Sequence, residues 1–442
     1  MHGIGYNPAP VRALLSRLLA LAFPVTLARL GIMCMGLCDA VVVGRLAPDE
    51  LPHQALGWAP TSVTLVTSIG LLTGVQVLGA RAVGANKLEE AGGALQRGLV
   101  VSAISGLAAI AVAQLYTEDL LVLFGVEPDL IKPSARITHV LVLSVPLHLV
   151  YVATSFFVEA IQRPVVATWL MWIANVLNVG LNLWLVPGSG AIGSAWATVA
   201  ARAFLALTLM IWVLRLPEAR ALGLRNRVAT PGYRAFLRVG TAAAISQAAE
   251  SSAFSGMTVI AGRLGAQAVA SYQILLNMLA LVFMVALGFA TATAVLTSEA
   301  LGRNAPRDAA RASWAGLAVN SVVMACIGVT TYLLAVPISK AYTVDVEVAR
   351  IVALCVPLAA AINIVDGGQT VAASALRAQS DNWFPTCSHL IAYALIMPGL
   401  GYLFGEVQGH GVWGLLLAVA WASVFSVGVL AARMWHLRPA AA

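Results

Sequence analysis

Apolar residues in this chain come in blocks of 20 or more, broken by short polar turns. A helix crossing the hydrocarbon core of a bilayer needs about 20 such residues, so the pattern predicts transmembrane helices. A membrane β-barrel would instead show alternating segments of about 10 residues, and no such alternation occurs. Twelve spans follow from the blocks: 18–44, 55–84, 94–116, 131–161, 165–186, 191–214, 236–264, 266–301, 309–336, 348–376, 384–404 and 411–435. Several exceed 25 residues, which implies tilt or extension beyond the bilayer. The first block runs on past signal-peptide length, with no small-residue cleavage pattern at its end, and reads as an uncleaved helix.

The pattern repeats. A shift of 218 residues lays Val43-Gly44-Arg45-Leu46 on Ala261-Gly262-Arg263-Leu264, Gly70 on Gly288, Gly84 on Gly302, Glu90 on Asp308, and Gly98-Leu99 on Gly316-Leu317. Further along, Ser144-Val145-Pro146-Leu147 resembles Cys355-Val356-Pro357-Leu358, and Gly190 and Gly193 resemble Gly411 and Gly414. Six spans per repeat is an even number, so both repeats enter the membrane from the same side, as parallel repeats related by an axis along the membrane normal. The expected organisation is an N-lobe over 1–215, a polar, arginine-rich linker over 216–234 with Pro217 and Pro231, and a C-lobe over 235–442.

Composition agrees. Of 442 residues 60% are hydrophobic and 10% charged, against about 25% charged in a soluble domain; mean hydropathy is +0.87. The net charge of +7 would suggest nucleic acid in a soluble protein, but its distribution gives another reason. With the N-terminus inside, eighteen Lys and Arg, among them Arg225, Arg227 and Arg377, fall in inside loops, six fall outside, and Arg29 and Arg202 lie within spans. That asymmetry satisfies the positive-inside rule and puts both termini in the cytoplasm. The expectation is a multi-pass protein of the inner membrane, monomeric, whose milieu is the lipid bilayer, with no nucleic-acid partner. The five cysteines all lie in apolar segments and read as small core residues. No P-loop, catalytic cluster or soluble domain is present, so no enzyme activity and no cofactor are expected.

Three acids lie deep in spans: Asp39, Glu250 and Asp366. The other sixteen, Glu159 among them, fall in loops or at helix ends on this map. A carboxylate at the bilayer centre costs about 2.5–3.5 kcal/mol on insertion scales, and such residues mark ion pathways or buried pairs. Only Arg29 and Arg202 could neutralise them, with Arg202 the better placed for Asp39. The functional alternative is a cation site. A carboxyl shut away from water can carry a proton and release it when water enters, and an ionised pair can hold a hard cation such as Na⁺ among oxygen ligands. Glu250 shares its helix face with Gln247, Phe254 and Met257, a mixture that suits an amphiphilic ligand. Asp366 has Asn363 and Gln369 nearby and is followed by Gly367-Gly368. Asn178 and Asn182, and Gln273 and Asn277, form two i, i+4 amide pairs, for which helix–helix hydrogen bonding is an equal alternative. Pro24, Pro146 and Pro357 lie inside spans and are candidate hinges. His148 and His389 read as core histidines.

These residues also resemble a known family, the MATE (multidrug and toxic compound extrusion) transporters, over essentially the whole chain. Pro24 with Met35-Gly36-Leu37-Cys38-Asp39 and Val43-Gly44-Arg45-Leu46 resembles its first-helix signature, and Gly79–Gly84 is similar too. Glu250 with Phe254 and Leu264-Gly265, and Asp366 with Gln369, Ala372-Ala373 and Leu376-Arg377, resemble the acids of its NorM-type branch. Asn178 and Asn182 match the asparagine pair of the fifth helix. Tyr272-Gln273-Ile274 with Asn277 resembles a motif that usually has His before the Gln, and Ile362 stands where relatives often carry Tyr. The resemblance implies two six-helix lobes around a central cleft, alternating access, and export of hydrophobic cationic drugs or dyes in exchange for Na⁺ or H⁺. Cation coupling would fall to Glu250, Asp366 and Asp39, with Na⁺ at Glu250 and Asp366. The alternatives are a lipid-linked or polysaccharide flippase of the same superfamily, which the excess of acids over arginines disfavours, and an integral membrane enzyme.

Overall fold

The structure is a computed structural model and describes residues 11–123, 125–224 and 232–438. Arg225, Arg227 and Pro231 of the anticipated linker lie outside the described residues. Those residues contain helices and no strand. In order they form α1 (Val11–Leu46), α2 (Leu51–Gly84), α3 (Leu88–Leu123), α4 (Pro128–Leu141), α5 (Ser144–Ala160), α6 (Val165–Leu214), α7 (Tyr233–Arg263), α8 (Ala266–Gly302), α9 (Pro306–Leu333), α10 (Ala335–Tyr342), α11 (Val346–Ala378), α12 (Trp383–His389), α13 (Met397–Gly401) and α14 (Gly411–His436). Two π-helical stretches, Leu390–Ile396 and Tyr402–Val407, flank α13.

Among the described residues, ten segments are long and apolar enough to cross a membrane. Two more crossings complete the twelve. The first is hidden in α6, whose 50 residues would run roughly 75 Å as one straight helix, more than twice the hydrocarbon thickness. Gly190, at φ 56° and ψ −140°, breaks it into two. The second is α7, which falls short on apolarity because Thr241, Ser246, Gln247, Glu250, Ser251, Ser252 and Ser255 all lie along it. A span this polar is retained only where something other than lipid meets its polar face.

The chain packs as two compact units. The first takes Leu27–Val83 and Lys87–Ala248, the second takes residues 11–26, Gly84–Asn86 and 249–438. The first unit has a core of Leu72, Val75, Leu149, Phe157, Met171, Leu209 and Phe236. The second is built on Met257, Tyr272, Leu275, Val356, Tyr393 and Leu415. These units depart from the sequence repeats at two places: the first half of α1 packs in the second unit, and the first half of α7 packs in the first.

Glycines that the shift of 218 pairs in sequence do the same work in the fold. In the first unit Gly70 on α2 meets α7 so closely that a Cβ there would lie 2.5 Å from the Cα of Ala244. In the second, Gly288 on α8 meets Ala22 and Thr26 of α1, and Thr26 and Ala244 are themselves 218 positions apart. Gly190 and Gly411 share a φ of 56°, which a residue with a Cβ adopts only under strain. Three positions later, Gly193 and Gly414 leave room for the backbones of Leu185 and Phe404. In the first unit the helix that restarts at Ala191 is capped by Glu50, whose Oε2 accepts the Ala191 N–H at 2.6 Å; a carboxylate there also meets the positive end of the helix dipole.

The proline expectations resolve differently at each site. Pro146 is the third residue of α5, just after the break between α4 and α5, where its missing N–H has no helical partner to lose. Pro24 and Pro357 lie inside α1 and α11, which remain helical through them.

Candidate functional site

Four helices of the second unit converge on Asp366, which lies mid-way along α11 and is 8% exposed. Three donors reach the same carboxylate oxygen, Oδ1. The Tyr393 hydroxyl donates from the π-helical stretch at 3.1 Å, the Ser423 hydroxyl from α14 at 3.1 Å, and Gln369 Nε2 from one turn along α11 at 3.4 Å. Oδ2 accepts no hydrogen bond among the described residues. Glu250, half-buried on α7, interacts electrostatically with Asp366 and with Arg377, yet has no hydrogen bond or ion pair among the described residues. The second unit therefore holds two neighbouring carboxyl groups with one oxygen of Asp366 and both oxygens of Glu250 uncommitted. Arg377, read from sequence as a loop residue, instead brings its guanidinium within electrostatic range of Glu250.

The anticipated neighbours divide. Phe254 stands one turn from Glu250 and packs its ring on Tyr393, with centroids 6.4 Å apart. Met257 is fully buried and packs against Gly401. Gln369 bonds Asp366, as above, and Asn363 is buried on the preceding turn of α11. Gln247 is half-buried, on the part of α7 that belongs to the first unit. Gln273 and Asn277 share an exposed face of α8, opposite the buried Tyr272 and Leu275, and make no hydrogen bond with Glu250 or Asp366.

The first unit holds the second acid site. Asp39, 1% exposed, accepts Asn182 Nδ2 at 2.7 Å on Oδ1 and the Thr198 hydroxyl at 2.6 Å on Oδ2. Asn178 lies one turn from Asn182, whose amide also donates to its backbone carbonyl at 2.9 Å. The side-chain oxygens of Asn178 and Asn182 are buried without a donor. The Asn178 amide nitrogen is likewise buried without an acceptor, and carboxylate and amide oxygens are the ligand type that hard cations take. Arg202, expected to pair with Asp39, does not bond it. It donates to Ser144 Oγ at 2.8 Å and lies 5.2 Å from the Trp58 ring centroid, acting on Asp39 through the field alone.

One more buried acid falls, on the sequence pattern, at a helix end. Glu159, in the last turn of α5, is 2% exposed. It is fully engaged, by Arg29 Nη2 at 3.3 Å, Gln76 Nε2 at 2.8 Å and Ser155 Oγ at 3.1 Å. Arg29 thus has its partner on α5 and is unavailable to Asp39. The sequence holds one signal for this pair: Glu159 falls two residues inside the end of the apolar block 131–161, which also contains His148. Among the described residues there is no group of three or more His, Cys, Asp or Glu of the kind that holds a metal ion, so the site at Glu250 and Asp366 rests on two carboxyl groups.

With this geometry in hand, the chain can be set beside known proteins. A family model described as MatE matches residues 24–184 and 242–403, once in each repeat. A probable multidrug resistance protein NorM from Caulobacter vibrioides is 40% identical over 98% of this chain and 94% of its own length. The multidrug resistance protein PmpM of Pseudomonas aeruginosa is 31% identical, covering 94% of this chain and 90% of its own. Among solved structures, the eukaryotic MATE transporter AtDTX14 superposes with a TM-score of 0.87 at 17% identity, over 96% of this chain and 95% of that one. The family model matches both repeats, and the relatives at 40% and 31% identity are named as multidrug resistance proteins, which places the chain in a class of transporters and not of enzymes. The chain belongs to the MATE family.

Proposed function

We propose that this protein is a secondary antiporter that exports hydrophobic organic cations in exchange for Na⁺ or H⁺. The observation that carries the reading is a contrast among the four acids inside the helical bundle, three buried and Glu250 half-buried. Glu159 is closed by an arginine, whereas among the described residues Asp39, Glu250 and Asp366 make no ion pair: Asp39 takes only neutral donors, and Glu250 and Asp366 keep oxygens without one. Unpaired acids within membrane spans are costly and mark ion or substrate pathways. The multidrug names of the relatives at 40% and 31% identity support the substrate class. A cationic drug and a coupling cation would compete for the same acids, and exchange is coupled to the extent that each binds a different conformational state better, that differential being the coupling free energy. Glu250 stands two residues beyond the point at which α7 passes from one unit to the other, and Pro24 three residues before the corresponding point in α1. In alternating access these would be the places where loading and bending meet. The arginine asymmetry of the loops supports a location in the inner membrane with both termini cytoplasmic.

The test is ethidium efflux from proteoliposomes under an imposed Na⁺ gradient and then under a pH gradient. Wild type should respond to at least one. Glu250→Gln should respond to neither while unfolding at the wild-type temperature. Wild-type efflux rates in that variant would refute the assignment.

A further inference from the structure

Tyr393 is the donor to Asp366 that comes from the least regular backbone in the unit. It is fully buried, and its ring is held on two sides, by His389 edge-on at 5.6 Å and by Phe254 at 6.4 Å. It lies in the middle of Leu390–Ile396, seven consecutive π-helical residues. π-helical turns are usually single bulges and concentrate at functional sites. A return to α-helical register would rotate Tyr393 and everything beyond it about the helix axis. The register that exists is the one that places the phenol on Oδ1 and leaves Oδ2 without a donor.

We propose that Tyr393 is a positioning residue for cation release: its hydroxyl stabilises the ionised, unloaded carboxylate of Asp366 through Oδ1, the oxygen that Ser423 and Gln369 also bond, and leaves Oδ2 to the cation. The inference rests on Asp366 being a coupling acid. An ionised carboxylate can only accept from the phenol, and it accepts more strongly when empty than when a proton or a Na⁺ has taken up its charge, so this hydrogen bond is worth most in the unloaded site. Tyr393 therefore favours the empty site over the loaded one and promotes cation release. Ser423 and Gln369 bond the same oxygen, but Tyr393 alone is delivered by the π-helical stretch. The other charged or titratable groups facing this cluster are Glu250 from α7, Arg377 through Glu250, and His389 through Tyr393 and Arg377. Gln369 and Ser423, from α11 and α14, are neutral.

The experiment is competition for bound ethidium on the purified full-length chain, read by fluorescence anisotropy. Ethidium is displaced by NaCl at fixed pH and, separately, by lowering pH in Na⁺-free buffer. In whichever arm displaces ethidium from wild type, Tyr393→Phe should move the midpoint about tenfold toward tighter cation binding, the worth of one charge-assisted hydrogen bond. Gradient-driven turnover should fall. Asp366→Asn should abolish displacement. If Asp366→Asn behaves as wild type, the coupling assignment itself fails. If Asp366→Asn loses displacement while Tyr393→Phe keeps the wild-type midpoint, the tyrosine inference alone fails. A shift toward weaker binding would make Tyr393 a direct ligand and overturn the proposal.

Discussion

Arg29 and Glu159 meet at 3.3 Å across 130 residues of sequence, and among the described residues theirs is the one ion pair with both side chains buried. Gln76 and Ser155 complete the acceptor shell of Glu159. Removing one member of such a pair leaves an uncompensated charge, at a cost of about 3–5 kcal/mol. Arg29→Met and Glu159→Gln should each lower thermal stability in detergent by that order, and the double variant should recover most of the loss. Additive losses in the double variant would mean that the two groups do not act as a pair.

Asp39 should behave in the opposite way. Its bonds come from Asn182 and Thr198, not from a base, and the Thr198 hydroxyl can turn to accept from an amide. Asp39→Asn should therefore change stability by no more than about 1 kcal/mol. Ion-driven efflux should fall by roughly 5–150-fold, the usual range of a coupling free energy. A folded, fully active variant in proteoliposomes would remove Asp39 from the mechanism.

Gly70 and Gly288 hold equivalent crossings, so equivalent substitutions should do equivalent damage. Gly70→Val and Gly288→Val each force a side chain into a neighbouring helix and should lower stability by about 1–3 kcal/mol. Gly256, where an added Cβ meets nothing within 4 Å, is the control. Gly256→Ala should be neutral or stabilising by up to about 1 kcal/mol. Thermal unfolding of the three variants side by side decides the point.

At the bend of α6, Gly190→Ala meets both a φ of 56° and the Glu50 carboxylate. Backbone strain alone is worth about 1–3 kcal/mol. Glu50→Ala removes the cap on Ala191 and should lose about 0.5–2 kcal/mol. Chemical unfolding followed by tryptophan fluorescence should rank Gly190→Ala as the more damaging change.

The spans and the repeat were legible because they depend on local composition: twenty apolar residues, or a glycine at fixed spacing. Asp39, Glu250 and Asp366 stood out for the same reason, as charges surrounded by apolar neighbours. Glu159 escaped because it sits two residues from a span end. Its burial is supplied by α1 and α2, which are more than 70 residues away in sequence. Arg377 escaped in the same way at the end of α11. Tyr393 could not be read at all. It lies in an apolar stretch where an aromatic is unremarkable, and its position depends on a helical register that 3.6-residue periodicity does not describe. The exchange of the first halves of α1 and α7 is likewise a matter of tertiary packing, invisible to a pattern that simply repeats.

The matched φ of Gly190 and Gly411 has an evolutionary reading. After duplication both copies retain the backbone bend while the side chains around their acids differ: in the first copy an arginine closes Glu159 and Asp39 takes only neutral donors, and in the second Glu250 and Asp366 make no ion pair among the described residues. Architecture and chemistry were thus inherited on separate schedules. A search for function in such duplicated proteins should look for positions where the two copies disagree.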